Sequence, residues 1–428
     1  MENKKYKKSD YNVIYDIDNN EKIIFNTRSL GLSVINNKEY DVYLNLDENL
    51  EKECMKDTIE DMYENGYIVD KDLNELDILK YRLNKERYSK DTLRLTIAPT
   101  MNCNFNCSYC YEKQGEEKNL RCMSKETQEN LIEFIEKRLE GSKKLDIVWY
   151  GGEPLLEFEK IKEMSEKIMD ICNSKNIKYV ASMVTNGYLL DKFSTKEFKD
   201  INIRDLQITI DGQEKIHNHR RPLINGDKTY TKIVKNIKSY QDELLIAIRI
   251  NIDRENVKNL DDLIKDFKNN GLTNCDINIA PVINSENPKD PNCINIEEFT
   301  KIWITFIKNC RKYGINKNPH MIPKVANYCD ADAENSFVID SQGYIYKCWR
   351  DIGNINLSVS NFYNDKKDNK QLFYKYITCD STENEMCKKC NMMPICMGGC
   401  PSDRLKNIDS CTRYKYCLKD ILLDLVKY

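Results

Sequence analysis

Between residues 92 and 315 the chain switches repeatedly between two periodicities, and this constrains its fold more than any other feature. Short apolar runs rich in β-branched residues, Leu93–Pro99, Leu145–Tyr150, Tyr179–Val184, Leu206–Ile210, Leu245–Ile252 and Ile277–Val282, are separated by stretches whose apolar residues recur every three or four positions. In the first stretch Leu131, Ile135 and Leu139 share one face, Ser124 stands at the N-cap and Gly141 follows the end. Later stretches carry Ile161, Met164, Ile168 and Ile171, then Ile233, Ile237 and Tyr240, then Leu260, Ile264 and Phe267. Alternation of this kind predicts a parallel sheet covered by helices. Six repeats are too few for a closed eight-stranded barrel, so the expected fold is α/β, an open or partial (β/α)6 barrel.

The flanks differ. Residues 1 to about 85 read as short strands, Val13–Asp16, Lys22–Phe25 and Leu32–Ile35, followed by helical patterns. Met55, Ile59 and Met62 form one of these, which ends at Gly66, and Tyr67–Val69 reads as a further strand. The pattern resembles a small winged-helix module, either a peptide-recognition unit or a packing appendage. From about 320 to 412 the periodicity breaks down and cysteines accumulate, whereas Tyr414, Leu418, Ile421, Leu422 and Leu425 predict a final helix docking back onto the body. The expected domains are therefore 1–88, 89–318 and 319–428.

The 428 residues include 18 cysteines, with 66 Lys+Arg balancing 69 Asp+Glu. Such near-neutral charge argues against a general nucleic-acid binder. No apolar run reaches the ~18 residues a membrane span needs, and the lysine-bearing N-terminus lacks the apolar stretch of a signal peptide. The expected location is the cytoplasm, where clustered thiols serve as metal ligands or catalytic groups more often than as disulfides.

At the end of the first candidate strand stand Cys103, Cys107 and Cys110, spaced C-x3-C-x2-C, with Tyr109 directly before the third. A closed zinc site wants four ligands; three thiolates on a 4Fe-4S cubane leave one iron open. Gly151, Gly152, Glu153 and Pro154 follow the second strand, Thr185, Asn186 and Gly187 the third, and Asp211 and Gly212 the fourth. Arg249 and Asn251 alternate with isoleucines on the fifth. Together, in this order, these features resemble the radical S-adenosylmethionine (SAM) enzymes. The resemblance implies a 4Fe-4S cluster on the three cysteines and SAM contacts from Tyr109, Gly151, Gly152, Glu153, Asn186, Arg249 and Asn251. A zinc knuckle completed by Cys122 is the alternative.

A second constellation runs Cys329, Gly343, Cys348, Cys387, Cys390, Cys396, Cys400 and Cys411. Its spacing resembles the seven-cysteine SPASM domain of radical SAM enzymes that modify peptides and proteins. The resemblance implies two auxiliary 4Fe-4S clusters, one on Cys387, Cys390, Cys396 and Cys411 and one on Cys329, Cys348 and Cys400. Cys417 rivals Cys411, and a zinc ribbon rivals the clusters. Sulfatase-maturing relatives place an eighth cysteine shortly before the first; here Ile322 to Tyr328 contain none, and neither Cys310 nor Cys379 has that spacing. Those relatives also carry an aspartate where this chain has Trp349. The run from Asp211 to Pro222, with His217 and His219, reads as a substrate-facing loop or a helix start, with Asn218 where relatives carry an acid. Mixed charges at Glu116–Lys118 and Asp365–Lys370 read as solvated loops.

By this resemblance the chain is expected to be a radical SAM/SPASM peptide maturase. A 5'-deoxyadenosyl radical would modify a cysteine-containing, ribosomally made precursor peptide, forming thioether cross-links. The N-terminal module would hold the leader, and a flavodoxin or ferredoxin would supply electrons. Alternatives are C–C or C–O cross-linking, oxidation of a serine or cysteine as in sulfatase maturation, or a non-catalytic, zinc-bound peptide carrier. No catalytic side chain is singled out.

Overall fold

The structure is a computed structural model that describes residues 6–49, 52–110, 122–283, 290–315, 323–325, 329–363, 367–408 and 410–426. The boundary expected at 318/319, the run Glu116–Lys118 and the start of the run at Asp365 lie outside the described residues. The chain forms two compact units, Met1–Tyr88 with His320–Asp332 and Ile377–Tyr428, and Ser89–Pro319 with Ala333–Tyr376. Among the described residues no helix is long and apolar enough to cross a membrane.

In the first unit β1 (Tyr6–Lys8), β2 (Asn12–Asp16), β3 (Glu21–Asn26), β4 (Leu32–Asn36) and β5 (Ile68–Asp70) build two small antiparallel sheets, β2-β3-β4 and β1-β5. The period-2 alternation of β3 serves two cores at once. Ile24 packs with Ile35, Val42, Ile59 and Met62, from β4 and the helices Asn37–Leu44 and Lys56–Glu64. Ile23 and Phe25 face the other way, onto Met392, Ile395, Leu418 and Leu422. The last two lie on the final helix, Tyr414–Leu425, which packs where the apolar spacing required a partner.

The second unit holds β6 (Thr92–Ile97), β7 (Lys144–Trp149), β8 (Lys178–Thr185), β9 (Ile203–Thr209), β10 (Leu245–Ile252) and β11 (Cys275–Pro281), all parallel and adjacent in sequence order. Helices Lys125–Arg138, Phe158–Ser174, Tyr230–Tyr240 and Leu260–Asn269 lie between them, and Ile296–Tyr313 follows the last strand. Ser124 caps the first helix, its hydroxyl accepting from Thr127 N at 3.0 Å. On β10 Ile246, Ile248, Ile250 and Ile252 are buried, whereas Ala247, Arg249 and Asn251 are half-buried on the opposite face.

The sheet does not end at β6. Three more strands, β12 (Ser336–Ile339), β13 (Tyr344–Tyr346) and β14 (Ser360–Asn361), extend it, β12 parallel to β6 and the others antiparallel. This segment read as irregular in the sequence because its strands are too short to show a period. Asp340 and Gly343 between two β-rich runs were the available hairpin signal. Gly343 has φ +85°, and Asp340 Oδ1 accepts from Gln342 N and Tyr344 N.

Candidate active site

The loop after β6 brings Cys103, Cys107 and Cys110 to the wall of a cavity of about 350 Å3, at the carboxyl ends of the parallel strands. Two segments hold that loop in place by backbone pairing. On one side the chain leaving β7 continues the ladder: Tyr150 N donates to Ile97 O (2.8 Å), Gly152 N to Thr100 O (3.1 Å) and Glu153 N to Asn102 O (2.8 Å). On the other side runs a strap, residues 220–224. Ser108 N donates to Arg220 O (3.0 Å), Asn106 N to Pro222 O (2.8 Å) and Ile224 N to Asn104 O (3.0 Å).

The first contact explains the paired glycines. A Cβ on Gly152 would sit 2.3 Å from Asn102 O and 2.7 Å from Met101 O; one on Gly151, whose φ is +104°, would sit 2.3 Å from Thr100 O. The close approach that demands glycine is therefore to the backbone of the cysteine loop itself.

A connected set of side chains lines or backs the cavity. Arg249 Nε donates to Asn251 Oδ1 (2.8 Å), Asn251 Nδ2 to Tyr109 Oη (3.2 Å) and Arg221 Nη1 to Tyr109 Oη (2.6 Å), while Tyr109 donates to Asp211. Asn251 N also donates to Asp211 Oδ1 at 2.9 Å. Tyr109, Gly151, Gly152, Asn186, Arg249 and Asn251 all line the cavity. Glu153 stands behind the wall, fully buried, its carboxylate accepting from Thr185 Oγ1 (2.6 Å), Asn186 N (2.7 Å) and Leu155 N (3.0 Å). Burial raises its pKa against the pull of those donors. Glu153→Gln places an amide where three donors expect acceptors. It should cost about 1–3 kcal/mol in denaturant unfolding, with Asn186 losing its fixed place on the cavity wall.

Burial, then Glu153 and the neighbouring Cys107 and Cys110, push the Cys103 thiol up to about 12. A thiol raised in this way resists ionisation unless a cation joins it. Among the described residues no three His, Cys, Asp or Glu side chains converge to hold a single metal ion. Three coupled thiols around an open cavity are the donor set that a multi-iron cluster with one open position requires.

Of the second constellation, Cys387, Cys390, Cys396 and Cys411 are gathered in the first unit, near enough that Cys396, Cys390 and Cys411 all raise the Cys387 thiol after burial does. Consecutive glycines shape the turn before Cys400: Gly398 and Gly399 have φ +78° and +70°, and Arg404 donates to both carbonyls at 3.1 and 2.8 Å. Cys329 and Cys400 belong to this unit and Cys348, just after β13, to the other. Cys417 is buried on the final helix, donating to Arg413 O at 3.4 Å, and burial pushes it up to about 12. Cys310 is equally buried on its helix.

Sequence reasoning missed the strap and Arg221. The run from Asp211 to Pro222 contributes Asp211 behind Tyr109, the backbone that pins the cysteine loop, and a buried His217 whose Nδ1 accepts from Asp211 N at 3.3 Å. Burial and the two arginines keep His217 well below its usual pKa, hence neutral. Asn218, in the position of an expected acid, accepts from Thr229 N (2.8 Å) and Tyr230 N (2.9 Å) and so anchors the start of the helix Tyr230–Tyr240. The doubled arginine at 220–221 was the only signal that this loop faces charge. Trp349 also lines the cavity, tilted against Tyr150 with ring centroids 4.9 Å apart.

Residues 97–267 match the family model described as the Radical SAM superfamily. A cysteine-type anaerobic sulfatase-maturating enzyme from Clostridium perfringens (strain 13 / Type A) is 26% identical over 361 residues, covering 76% of this chain and 93% of the relative. Among solved structures, native anSMEcpe with bound AdoMet and Kp18Cys peptide superposes with TM-score 0.61 at 20% identity, covering 79% of this chain and all of that one. Streptococcus suis SuiB bound to precursor peptide SuiA gives TM-score 0.51 at 16% identity, covering 96% of this chain and all of that one. At such identities these two likenesses establish the fold. The parallel strands, the loop of three thiols at their carboxyl ends and the match over residues 97–267 lead to one conclusion: the chain is an enzyme that carries a radical SAM domain.

Proposed function

We propose that the enzyme binds SAM and a 4Fe-4S cluster in the cavity and matures a cysteine-containing precursor peptide by forming thioether cross-links. Cys103, Cys107 and Cys110 would hold the cluster, which when bound would supply the electron for reductive cleavage of SAM and so the hydrogen-abstracting chemistry. The chain's own residues orient and exclude. Gly151 and Gly152 give the cofactor a backbone edge, Asn186, Arg249 and Asn251 offer polar groups to its amino-acid end, and Trp349 and Tyr150 present an apolar, water-excluding wall. Arg249 suits a carboxylate because a half-buried guanidinium gains most from an anionic partner.

The observation that carries the thioether reading is the make-up of this wall. None of the described residues lining it is Asp, Glu or His, and Trp349 stands where, by the resemblance, sulfatase-maturing enzymes carry an aspartate. An oxidation that needs a carboxylate base finds none there. Replacing a C–H and an S–H by a C–S bond removes two hydrogens from the peptide; the radical takes one with its electron, the thiol proton goes to solvent, and an electron must leave. Cys387, Cys390, Cys396 and Cys411, with Cys329, Cys348 and Cys400, are proposed to hold the two auxiliary clusters that accept it, by their likeness to the seven-cysteine pattern. The set Cys329, Cys348 and Cys400 has no eighth cysteine nearby in sequence, which suits a substrate thiolate as its fourth ligand. Residues 1–88 are proposed to bind the leader, and a flavodoxin- or ferredoxin-class protein to donate electrons.

A second reading, oxidation of a cysteine or serine in a protein, is favoured by the likeness to the Clostridium perfringens enzyme. Anaerobic incubation with short cysteine-bearing peptides encoded beside this gene separates the two. The expected product has lost two hydrogens and its free thiol, with a C–S bond resolved by fragmentation. Products that all keep both hydrogens and every thiol would overturn the thioether reading.

A further inference from the structure

We propose that Arg221 is a positioning residue that sets the ease of reduction of the group held by Cys103, Cys107 and Cys110, by fixing a buried positive charge against the cysteine loop. This rests on the reading that those thiols hold a redox-active cluster. Three geometric observations carry it. The strap places Arg221 between two residues whose carbonyls, Arg220 O and Pro222 O, accept from the loop at Ser108 N and Asn106 N, so its backbone cannot move apart from the cysteines. Its side chain lines the cavity, lies 5.7 Å over the Phe105 ring and donates to Tyr109 Oη at 2.6 Å, thus touching residues beside Cys107 and Cys110. Arg221 is 8% exposed, and its buried Nε has no hydrogen-bond partner among the described residues.

A buried cation with an unsatisfied donor is costly unless negative charge lies close. Asp211 offsets part of it through Tyr109, and the Cys107 thiol is among the groups that hold Arg221 in its charged form, after Tyr109. Neighbouring Arg220 is spent differently, on Asp253 at 2.9 Å and Glu255 at 2.6 Å. Arg220 also lies over the Tyr109 ring at 5.1 Å and 3.8 Å from Asp211, but of the pair it is Arg221 that lines the cavity. On reduction, one electron enters from the external reductant, no bond at Arg221 forms or breaks, and the group on the thiols becomes one unit more negative. A fixed cation on the same cavity wall stabilises that more negative form.

The test is an anaerobic potentiometric titration of the reconstituted holoenzyme, following by electron paramagnetic resonance only the signal that changes when SAM is added. In R221Q the ratio of reduced to oxidised signal at a fixed potential should fall at least about tenfold, a shift of about 59 mV downward for a one-electron couple, and R221K should restore most of it. An unchanged potential in iron-loaded R221Q overturns the proposal. If R221Q loads no iron, loading at the wild-type potential in R221K supports a charge requirement, and failure of both variants overturns it in favour of a packing role. A wild-type protein without a SAM-responsive signal would instead refute the underlying reading of the three thiols.

Discussion

Cys107→Ser should abolish formation of 5'-deoxyadenosine from SAM and lower the iron content of the reconstituted protein from about twelve to about eight per chain. Cys107 is the most buried of the three cysteines on the cavity wall. A serine hydroxyl is neither acidic nor soft enough to replace a thiolate on iron. Two thiols leave two irons of a cubane without protein ligands, so the loss is of the whole cluster. None of the seven proposed auxiliary ligands is on this loop, and Cys387, Cys390, Cys396 and Cys411 are gathered in the other unit, so the iron of both auxiliary clusters should remain. Iron and acid-labile sulfide analysis beside chromatography of the nucleoside product checks both halves. Loss of all iron would mean that the clusters assemble interdependently.

The second large effect is expected where no ligand is touched. Gly152→Ala forces a methyl to within 2.3 Å of Asn102 O, 2.6 Å of Asn102 C and 2.7 Å of Met101 O, all backbone atoms that cannot rotate aside. The cysteine loop must retreat by about an ångström, at a cost of about 1–3 kcal/mol in stability. Because Asn102 adjoins Cys103, the retreat displaces a thiol. Iron uptake at the cavity and SAM affinity should therefore both fall at least about tenfold, roughly the effect of misplacing reacting groups by such a distance. Gly141→Ala is the informative comparison. Gly141 also has a positive φ, +78°, yet a Cβ there meets nothing within 4 Å. That substitution should cost about 1 kcal/mol of backbone strain and leave iron and SAM binding untouched. Equal losses of SAM affinity in the two variants would show that fold stability, not the approach of the two loops, governs the site.

Much of this arrangement is legible in the residues. The six parallel strands could be placed because each is buried on its helix-facing side and long enough to show its period. The three thiols, the glycine pair and the Arg249–Asn251 alternation follow directly from spacing along single elements. What escaped depends on pairing between distant segments. Strands β12 to β14 have four, three and two residues, and exist because β6 offers an unpaired edge. The strap at 220–224 has no period at all; its backbone bonds to residues more than 100 positions earlier in the chain, and nothing local announces them. Arg221 was hidden for the same reason, since one charge in a loop is usually solvated. Asn218, which looked like a missing acid, is explained by the helix start it anchors. The glycines were recognised, but the partner of their close approach became clear only with Thr100 and Asn102 in place.

The central claim, that the cavity at the carboxyl ends of these strands performs reductive SAM chemistry, is tested most directly by one measurement. The anaerobically reconstituted, iron- and sulfide-loaded protein is reduced with dithionite, and the fate of added SAM is followed. Conversion to 5'-deoxyadenosine and methionine is the predicted result. A loaded and reduced protein that leaves SAM intact would contradict it.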